Sequence, residues 1–268
     1  MPLASPPRTS HPPDDLAEVE GPSDAEALYR ATVLRMMEAH GYRAVSMARL
    51  YGAGLTFAPG LRWMRFVAGA ARESVEHGAA IGQCYRALGA AHLDVVLERR
   101  LRAAPPRLAG SRAELAVACL VAGRGWRWTV REHDQCSFLP YRAVVAQLSL
   151  ELEAREVAAE RFLAECVRAE GAAAARPFVS PWVRAVRASF GRAGTPGAAY
   201  AVSVGLKKRD VSATVRDCVD DIARALRACG LDDVAPEAMG ETTEPEGVEG
   251  DSEAFDGPPG RVKAGGLE

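Results

Sequence analysis

Apolar residues recur at the spacing of a helix face along most of the chain, and no segment alternates convincingly as a strand. The first run, "LYRATVLRMMEAHGYRAVSMARL", follows the capping-box pair Ser23 and Glu26 and extends to about Gly54. The stretch "TFAPG" interrupts the pattern at Pro59, because proline disfavours continuation of a helix. A second run extends to Gly89, a residue type that commonly ends helices. The pattern predicts two long helices joined by a short break.

The rest of the pattern predicts two more long helices and several shorter ones. A short helix is expected over 91–103, and after "AAPPRLAG" the pair Ser111 and Glu114 caps a third long helix, "ELAVACLVAGRGWRWTVREHD". Pro140 suits the first turn of a fourth, "YRAVVAQLSLELEAREVAAERFLAECVRAE". Two further helices, joined by the loop "RAGTPGAAYAVSVGLKKR", are predicted in "PFVSPWVRAVRASFG" and "DVSATVRDCVDDIARALRACG". Four long helices with short connections favour an all-α, up-down helical bundle with two additional C-terminal helices.

Both ends of the chain lack this periodicity. Residues 1–22 are rich in proline, and residues 235–268 combine acidic residues with glycine and proline. Such segments have too few apolar residues to pack against a core. The sequence therefore predicts one helical domain over 23–234, between two disordered tails.

Composition narrows the functional classes. The chain has 33 Lys and Arg against 35 Asp and Glu, so it carries no charge excess that predicts a nucleic-acid or membrane partner. Its first residues have proline and charge where a signal peptide needs an apolar core, and no apolar run reaches the roughly 20 residues of a membrane span. We therefore expect a cytoplasmic protein. The six cysteines occur singly, which favours reduced, buried thiols over a zinc site.

Several stretches resemble the ferritin-like subunits of bacterial phenylacetyl-CoA epoxidase, the multicomponent monooxygenase of phenylacetic acid degradation. "YRATVLRMMEAHGYRAV" is similar to the family's first helix, and "FAPGLRWMRFVAGAARESVEHGAAIGQCYRALG" to its AP turn and first Glu-x-x-His helix. "CSFLPYRAVVAQLSLELEAREVAAERF" is similar to the helix with the second such motif. Trp182 to Gly191 and "GLKKRD" resemble later elements of the family. The resemblance covers about residues 27–232 and implies a ferritin-like bundle.

In active members of that family, two irons are held by an acid on helix one, a Glu-x-x-His on helix two, an acid on helix three and a Glu-x-x-His on helix four. Setting this pattern on the chain gives Ala44, Ser74, His77, Ala122, Leu152 and Arg155. Only His77 is a metal ligand, and the arginine brings a permanent cation to a metal position.

The resemblance thus implies a metal-free relative without a cofactor and without intrinsic di-iron oxygenase activity. It would be a structural, substrate-holding or regulatory subunit that binds a helical protein partner or a second copy of itself. An active di-iron subunit acting on an aromatic acyl-CoA is the first alternative.

The stretch "ARESVEHG" places Glu73, Glu76 and His77 close together on helix two. In one hypothesis the glutamates are solvated or paired with the neighbouring arginine, and His77 hydrogen-bonds a core partner. Arg155 likewise follows Glu151 by four residues, the favourable order for an intrahelical ion pair.

A rival hypothesis is a rebuilt metal site. At about 100° per residue, His40 lies on the face of the helix-one ligand position and Glu156 on that of the helix-four pair. His40, His77 and Glu156 would then converge on one metal.

The "GLKKR" segment carries Lys207, Lys208 and Arg209 just before a predicted helix. The resemblance implies that these cations meet the phosphates of an acyl-CoA. A solvated loop is the other interpretation.

The stretch "MMEAHGYRAVSMARLYGAGLT" also resembles the opening of a tetracycline-repressor-type helix-turn-helix. Pro59 and Gly60 then fall where a recognition helix should begin, and no basic N-terminal arm precedes the segment. Because of these departures from the motif, a DNA-binding regulator is only the second alternative.

Overall fold

The computed structural model describes residues 24–90, 93–101, 108 and 110–232, and every regular element within these ranges is helical. The helices are α1 (Asp24–Gly54), α2 (Gly60–Ala87), α3 (Leu93–Leu101), α4 (Arg112–Arg131), α5 (Leu139–Glu170), α6 (Ala172–Ala188), α7 (Pro196–Ser203) and α8 (Val211–Ala228), with a 3₁₀ turn at Leu55–Phe57. The predicted all-α bundle is confirmed. Both predicted tails, and Ser23 of the predicted capping box, lie outside the described residues.

Local signals explain most helix boundaries. Ser111 caps α4, because its Oγ accepts a hydrogen bond from Glu114 N at 3.0 Å. Pro140 lies in the first turn of α5. Gly171, with φ of 83°, separates α5 from α6, so α6 begins five residues before the predicted Pro177.

The segment between α6 and α8 was predicted as a loop, and this prediction is wrong. Thr195 Oγ1 accepts a hydrogen bond from Ala198 N at 3.2 Å, and Pro196 occupies the first turn of a short helix, α7. Three helices therefore follow α5 in the described part of the chain, where two were predicted. The resemblance to a helix-turn-helix is also wrong for this stretch, because residues 36–54 belong to one continuous helix, α1, without a turn.

Helix α4 is the centre of the bundle. Every residue from Leu115 to Val121 is at most 1% exposed, which is the pattern of a helix that is packed on all sides. Helices α1 and α2 form one extensive helix pair, and α4 packs against α5, α6 and α8. No helix in the described ranges is long and apolar enough to span a membrane.

A network of buried ion pairs ties α8 to α4 and α5. Arg124 Nη1 donates to Asp221 Oδ2 at 2.6 Å and a second nitrogen of Arg124 binds Glu160. Arg127 donates to Glu156 Oε1 at 2.6 Å and to Asp221 Oδ2 at 2.9 Å. These carboxylates compensate two guanidinium groups that are almost removed from water.

Close packing of α4 against α6 gives a first testable prediction. A Cβ added at Gly125 would lie 2.5 Å from Val186 Cγ1, a stiff β-branched side chain, and 3.0 Å from Arg43 Nη2. At Gly69 on α2 nothing lies within 4 Å of an added Cβ. We expect Gly125→Ala to lower the free energy of unfolding by about 1–3 kcal/mol, and Gly69→Ala to raise it by about 0.5–1 kcal/mol. Urea denaturation of both variants checks this, and an equal gain from both would contradict the packing.

Candidate functional site

All six positions that the resemblance aligns with iron ligands are buried in the bundle. Their exposed fractions are 0% for Ala44, 0% for Ser74, 2% for His77, 7% for Ala122, 1% for Leu152 and 6% for Arg155. A direct polar contact joins two of them, since Arg155 Nη1 donates to Ser74 Oγ at 3.3 Å. This contact joins the aligned positions of α2 and α5 inside the core.

Arg155 is held mainly by Glu73 of the facing helix. Its Nη2 and Nε lie 2.5 Å and 3.2 Å from Glu73 Oε2, and its guanidinium carbon lies 5.4 Å from the centroid of the Tyr51 ring. The Arg155 side chain is only 5% exposed, whereas that of Glu73 is 32% exposed. A charged pair and a cation–π contact thus occupy the space between α2 and α5.

His77 has a different partner on the same facing helix. Its Nε2 donates to Glu151 Oε2 at 2.7 Å, and Gln147 donates to the other oxygen of Glu151. The predicted Glu151–Arg155 pair is therefore replaced by contacts across the helices, because both residues find buried or half-buried partners on α2. Burial lowers the pKa of His77 in spite of the Glu151 contact, so the imidazole is neutral at pH 7.

The three residues of the hypothetical rebuilt metal site have separate partners. His40 Nδ1 is hydrogen-bonded to the Tyr141 hydroxyl, His77 binds Glu151, and Glu156 pairs with Arg127. Glu156 is thus engaged by two guanidinium groups of α4, those of Arg124 and Arg127. Among the described residues, no group of three or more His, Cys, Asp or Glu side chains is placed to hold a metal ion.

The three cations of the "GLKKR" segment also have different surroundings. Lys208 pairs with Asp134, and Arg209 donates to Glu132 Oε1 at 3.1 Å and to an aspartate of α8 at 2.6 Å. Lys207 is half-buried, and its ammonium has no hydrogen-bond or ion-pair partner in the described part of the chain. Burial lowers the pKa of Lys207, and the charges of Glu132 and Asp210, which act on the ammonium without forming an ion pair with it, only partly oppose this shift.

Lys207 lines a cleft of about 590 Å³ that we call the cationic cleft. It lies between α1, the end of α4 and the segments on either side of α7. Its charged lining consists of five cationic residues against one carboxylate: Arg35, Arg43, Arg192, Lys207 and Arg209, with Glu132. This imbalance favours an anionic occupant.

Arg43 is the second cation of the cleft that has no carboxylate beside it. Its Nη1 donates to Thr129 Oγ1 at 2.9 Å and lies 3.5 Å from Ser189 O, and its guanidinium carbon is 5.4 Å from the centroid of the Phe190 ring. Burial lowers the pKa of Arg43 to about 10. The group stays charged at pH 7 without an anionic partner in the described residues.

Two neutral imidazoles complete the inner wall of the cationic cleft. His133 Nδ1 donates to the Leu206 carbonyl at 2.7 Å, and the His40 and His133 rings meet edge to face with centroids 4.7 Å apart. Burial, and next the charge of Lys207, lowers the pKa of His133 to about 3. Burial, together with the nearby charges of Lys207 and Arg43, holds the pKa of His40 well below 6.5.

A smaller cleft of about 250 Å³ adjoins the cationic one, and both are lined by Ala39, Arg43 and Ser189. The rest of its lining is mostly apolar and includes Met47, Leu50, Ala122, Trp182, Ala185 and Val186. We call it the apolar cleft. Arg43 therefore lies where a cationic space meets an apolar one.

The sequence names Lys207 as a candidate for binding an anion, but it does not single out Arg43 or His133, which line the same cleft. Arg43 directly precedes Ala44, one of the aligned positions, yet the motif carries no signal for the residue before it. His133 follows an aromatic and basic stretch of α4 that is typical of packing.

No family model matches the chain, and a search of the curated proteins finds no significant match. The class of protein that the fold and the site define is an all-helical bundle with a cation-lined cleft.

The Arg155 contact gives a second prediction. Glu73→Gln removes the charge that compensates a buried guanidinium, so we expect a loss of about 1–3 kcal/mol in the free energy of unfolding. Glu76→Gln on the same helix is the matched control, because the Arg72–Glu76 pair is 3.5 Å long and exposed, and its loss should stay within about 0.5 kcal/mol. Chemical denaturation measures both. Equal effects would show that Glu73 does not stabilise Arg155.

The buried imidazole of His133 gives a third prediction. Its native pKa of about 3 is below the ordinary 6.5, so the unfolded chain takes up a proton first as the pH falls. As far as it depends on His133, the free energy of unfolding is therefore highest above pH 6.5. Below that pH it decreases by up to about 1.4 kcal/mol per pH unit. His133→Asn keeps a donor for Leu206 O but does not titrate. Between pH 7 and pH 4.5 this variant should lose about 2 kcal/mol less stability than the wild type. Identical losses in urea titrations would contradict the prediction.

Proposed function

We propose that this chain is a metal-free relative of the ferritin-like subunits of phenylacetyl-CoA epoxidase, and that it holds an organic anion of the acyl-CoA class without oxidising it. It does so as a subunit beside a helical partner or a second copy of itself. The observation that carries this proposal is the cationic cleft, where Arg43 and Lys207 have no carboxylate partner in the described residues.

Electrostatics supports an anionic ligand. A cation that is removed from water without a counter-charge lowers stability, and elsewhere in this bundle Arg124, Arg127 and Arg155 all have carboxylates. A phosphate or carboxylate in the cleft would supply the missing charge and form charge-assisted hydrogen bonds. A volume of about 590 Å³ is also within the usual range of small-molecule sites.

The apolar cleft supports an acyl group on the same ligand. An apolar cavity of about 150 Å³ is enough to bind benzene, so about 250 Å³ accommodates one aromatic ring or a short alkyl chain. Because Arg43 lines both clefts, one ligand can place its polar part in the cationic cleft and its acyl part in the apolar one.

The core contact between Arg155 and Ser74 supports the metal-free part of the proposal. A guanidinium already occupies the space between the aligned positions of α2 and α5, and its charge opposes that of a bound iron. His77, the remaining ligand type, is engaged with Glu151.

Exposed apolar side chains on the long helices support a helical partner. Leu61 is 75% exposed, Val75 60%, Leu150 71% and Val157 51%. Such side chains on α2 and α5 are suited to packing against another helix.

Light scattering and pull-down from the native host test the proposed helical partner. A strictly monomeric protein that recovers no partner would contradict it.

The ligand proposal predicts a measurable affinity for an acyl-CoA. Phenylacetyl-CoA should bind the full chain in calorimetric titrations, and Arg43→Gln or Lys207→Met should each weaken binding at least about tenfold. Lys208→Met is the matched control, because Lys208 already pairs with Asp134, and its affinity should stay within about twofold. Absence of binding, or equal losses for Lys207→Met and Lys208→Met, would contradict the proposal.

The metal-free part has its own test. Elemental analysis of protein purified from iron-supplemented cells should find far less than one iron per chain. A content close to two irons, the number that a carboxylate-bridged centre in a helical bundle holds, would overturn it.

A further inference from the structure

Hydrogen bonding fixes the protonation pattern of His133. The Leu206 carbonyl can only accept, so the hydrogen bond of 2.7 Å requires the proton on His133 Nδ1. The native imidazole is neutral at pH 7, and Nε2 therefore carries a lone pair. His133 lines the cationic cleft, and Nε2 is the ring nitrogen that the Leu206 hydrogen bond leaves uncommitted. It can accept a hydrogen bond but cannot donate one.

A second acceptor without a hydrogen-bond partner belongs to another residue of the cleft lining. Glu132 is 5% exposed and lines the cationic cleft, and Arg209 binds its Oε1. Its other oxygen, Oε2, is buried without a hydrogen-bond partner among the described residues. A cleft built only for a fully deprotonated anion would not retain a carboxylate oxygen and an imidazole lone pair in its wall, because both repel such an anion.

We infer that the cationic cleft selects an oxyanion that carries its own O–H donor, hydrogen phosphate being the simplest example, and that His133 Nε2 accepts the hydrogen bond from this O–H. Arg43 and Lys207 bind the charged oxygens of the same group. The inference rests on the proposed function for the use of this cleft as an anion site, and it adds the chemical feature by which the anion is chosen.

Phosphate and sulfate differ in the feature that matters here. They have nearly the same size and shape, but at pH 7 phosphate has at least one O–H and sulfate has none. Phosphate can therefore satisfy both the cations and the His133 lone pair. Sulfate leaves a buried acceptor unpaired and places one of its own lone pairs against it, which costs on the order of a tenfold loss of affinity or more.

The experiment compares sodium phosphate with sodium sulfate at pH 7 and equal ionic strength, by calorimetry or NMR titration of the full chain. Wild type should prefer phosphate at least about tenfold. His133→Asn places an amide N–H near the Nδ1 position for Leu206 O and removes the acceptor at Nε2. In this variant the preference should fall to about one, while affinity for sulfate stays within about threefold of wild type.

A second comparison uses methyl phosphate, because a larger ligand would carry its phosphate as a monoester. A monoester loses its O–H as the pH rises past about 6, whereas inorganic phosphate keeps one well above pH 8. Between pH 6 and pH 8 the affinity for methyl phosphate should therefore fall several-fold more than that for inorganic phosphate. Equal pH profiles for the two probes would overturn the assigned O–H contact.

The outcomes separate this inference from the proposed function. Equal affinity of wild type for phosphate and sulfate would overturn the selection by His133 and leave the anion site standing. Binding of phenylacetyl-CoA without any binding of phosphate would also overturn it. If phenylacetyl-CoA, methyl phosphate, phosphate and sulfate all fail to bind, the proposed function itself is refuted. Should His133→Asn not fold, the wild-type preference alone decides, because a merely cationic site would not favour phosphate, whose mean negative charge at pH 7 is lower than that of sulfate.

Discussion

A cation removed from water needs an anion beside it, and this constraint organises the whole bundle. Arg124 and Arg127 on the central helix are compensated by Asp221 and by glutamates of α5, and these contacts hold α8 in place. Arg155 is compensated by Glu73, and that contact joins α2 to α5 in the part of the core where the resemblance aligns metal ligands. Three buried guanidinium groups thus define how the helices are joined.

The cationic cleft departs from this constraint, because two of its cations have no ion-pair partner in the described residues. Arg43 and Lys207 are desolvated enough for their pKa values to fall, yet no carboxylate of the described residues binds either. Desolvation without an ion-pair partner lowers the stability of the folded chain. The imidazoles of His40 and His133 beside these cations are neutral at pH 7, so they add no further charge. A bound anion, as proposed, would supply the partner that Arg43 and Lys207 lack.

Helical periodicity and caps predicted the architecture because those signals are local. Ser111 and Pro140 begin helices as expected, whereas the eight-residue α7 is too short to show a periodic face. The site depended on distant contacts. Arg155 was expected to pair within its own helix but reaches Glu73 on α2, and Arg43 and His133 share a cleft although they are far apart in sequence. Such pairings follow from how the helices pack, which a single sequence does not specify.

The most direct test of the uncompensated charge needs no ligand. The free energy of unfolding is measured by urea denaturation in a buffer without phosphate or sulfate, for wild type, Lys207→Met and the ion-paired control Lys208→Met. Because burial outweighs the attraction of Glu132 and Asp210, removing this ammonium, which has no ion-pair partner in the described residues, should raise the free energy of unfolding by about 0.5–2 kcal/mol. Lys208→Met should leave it unchanged or slightly lower. A loss of stability in Lys207→Met would contradict the account, because it would mean that the fold itself already compensates this charge.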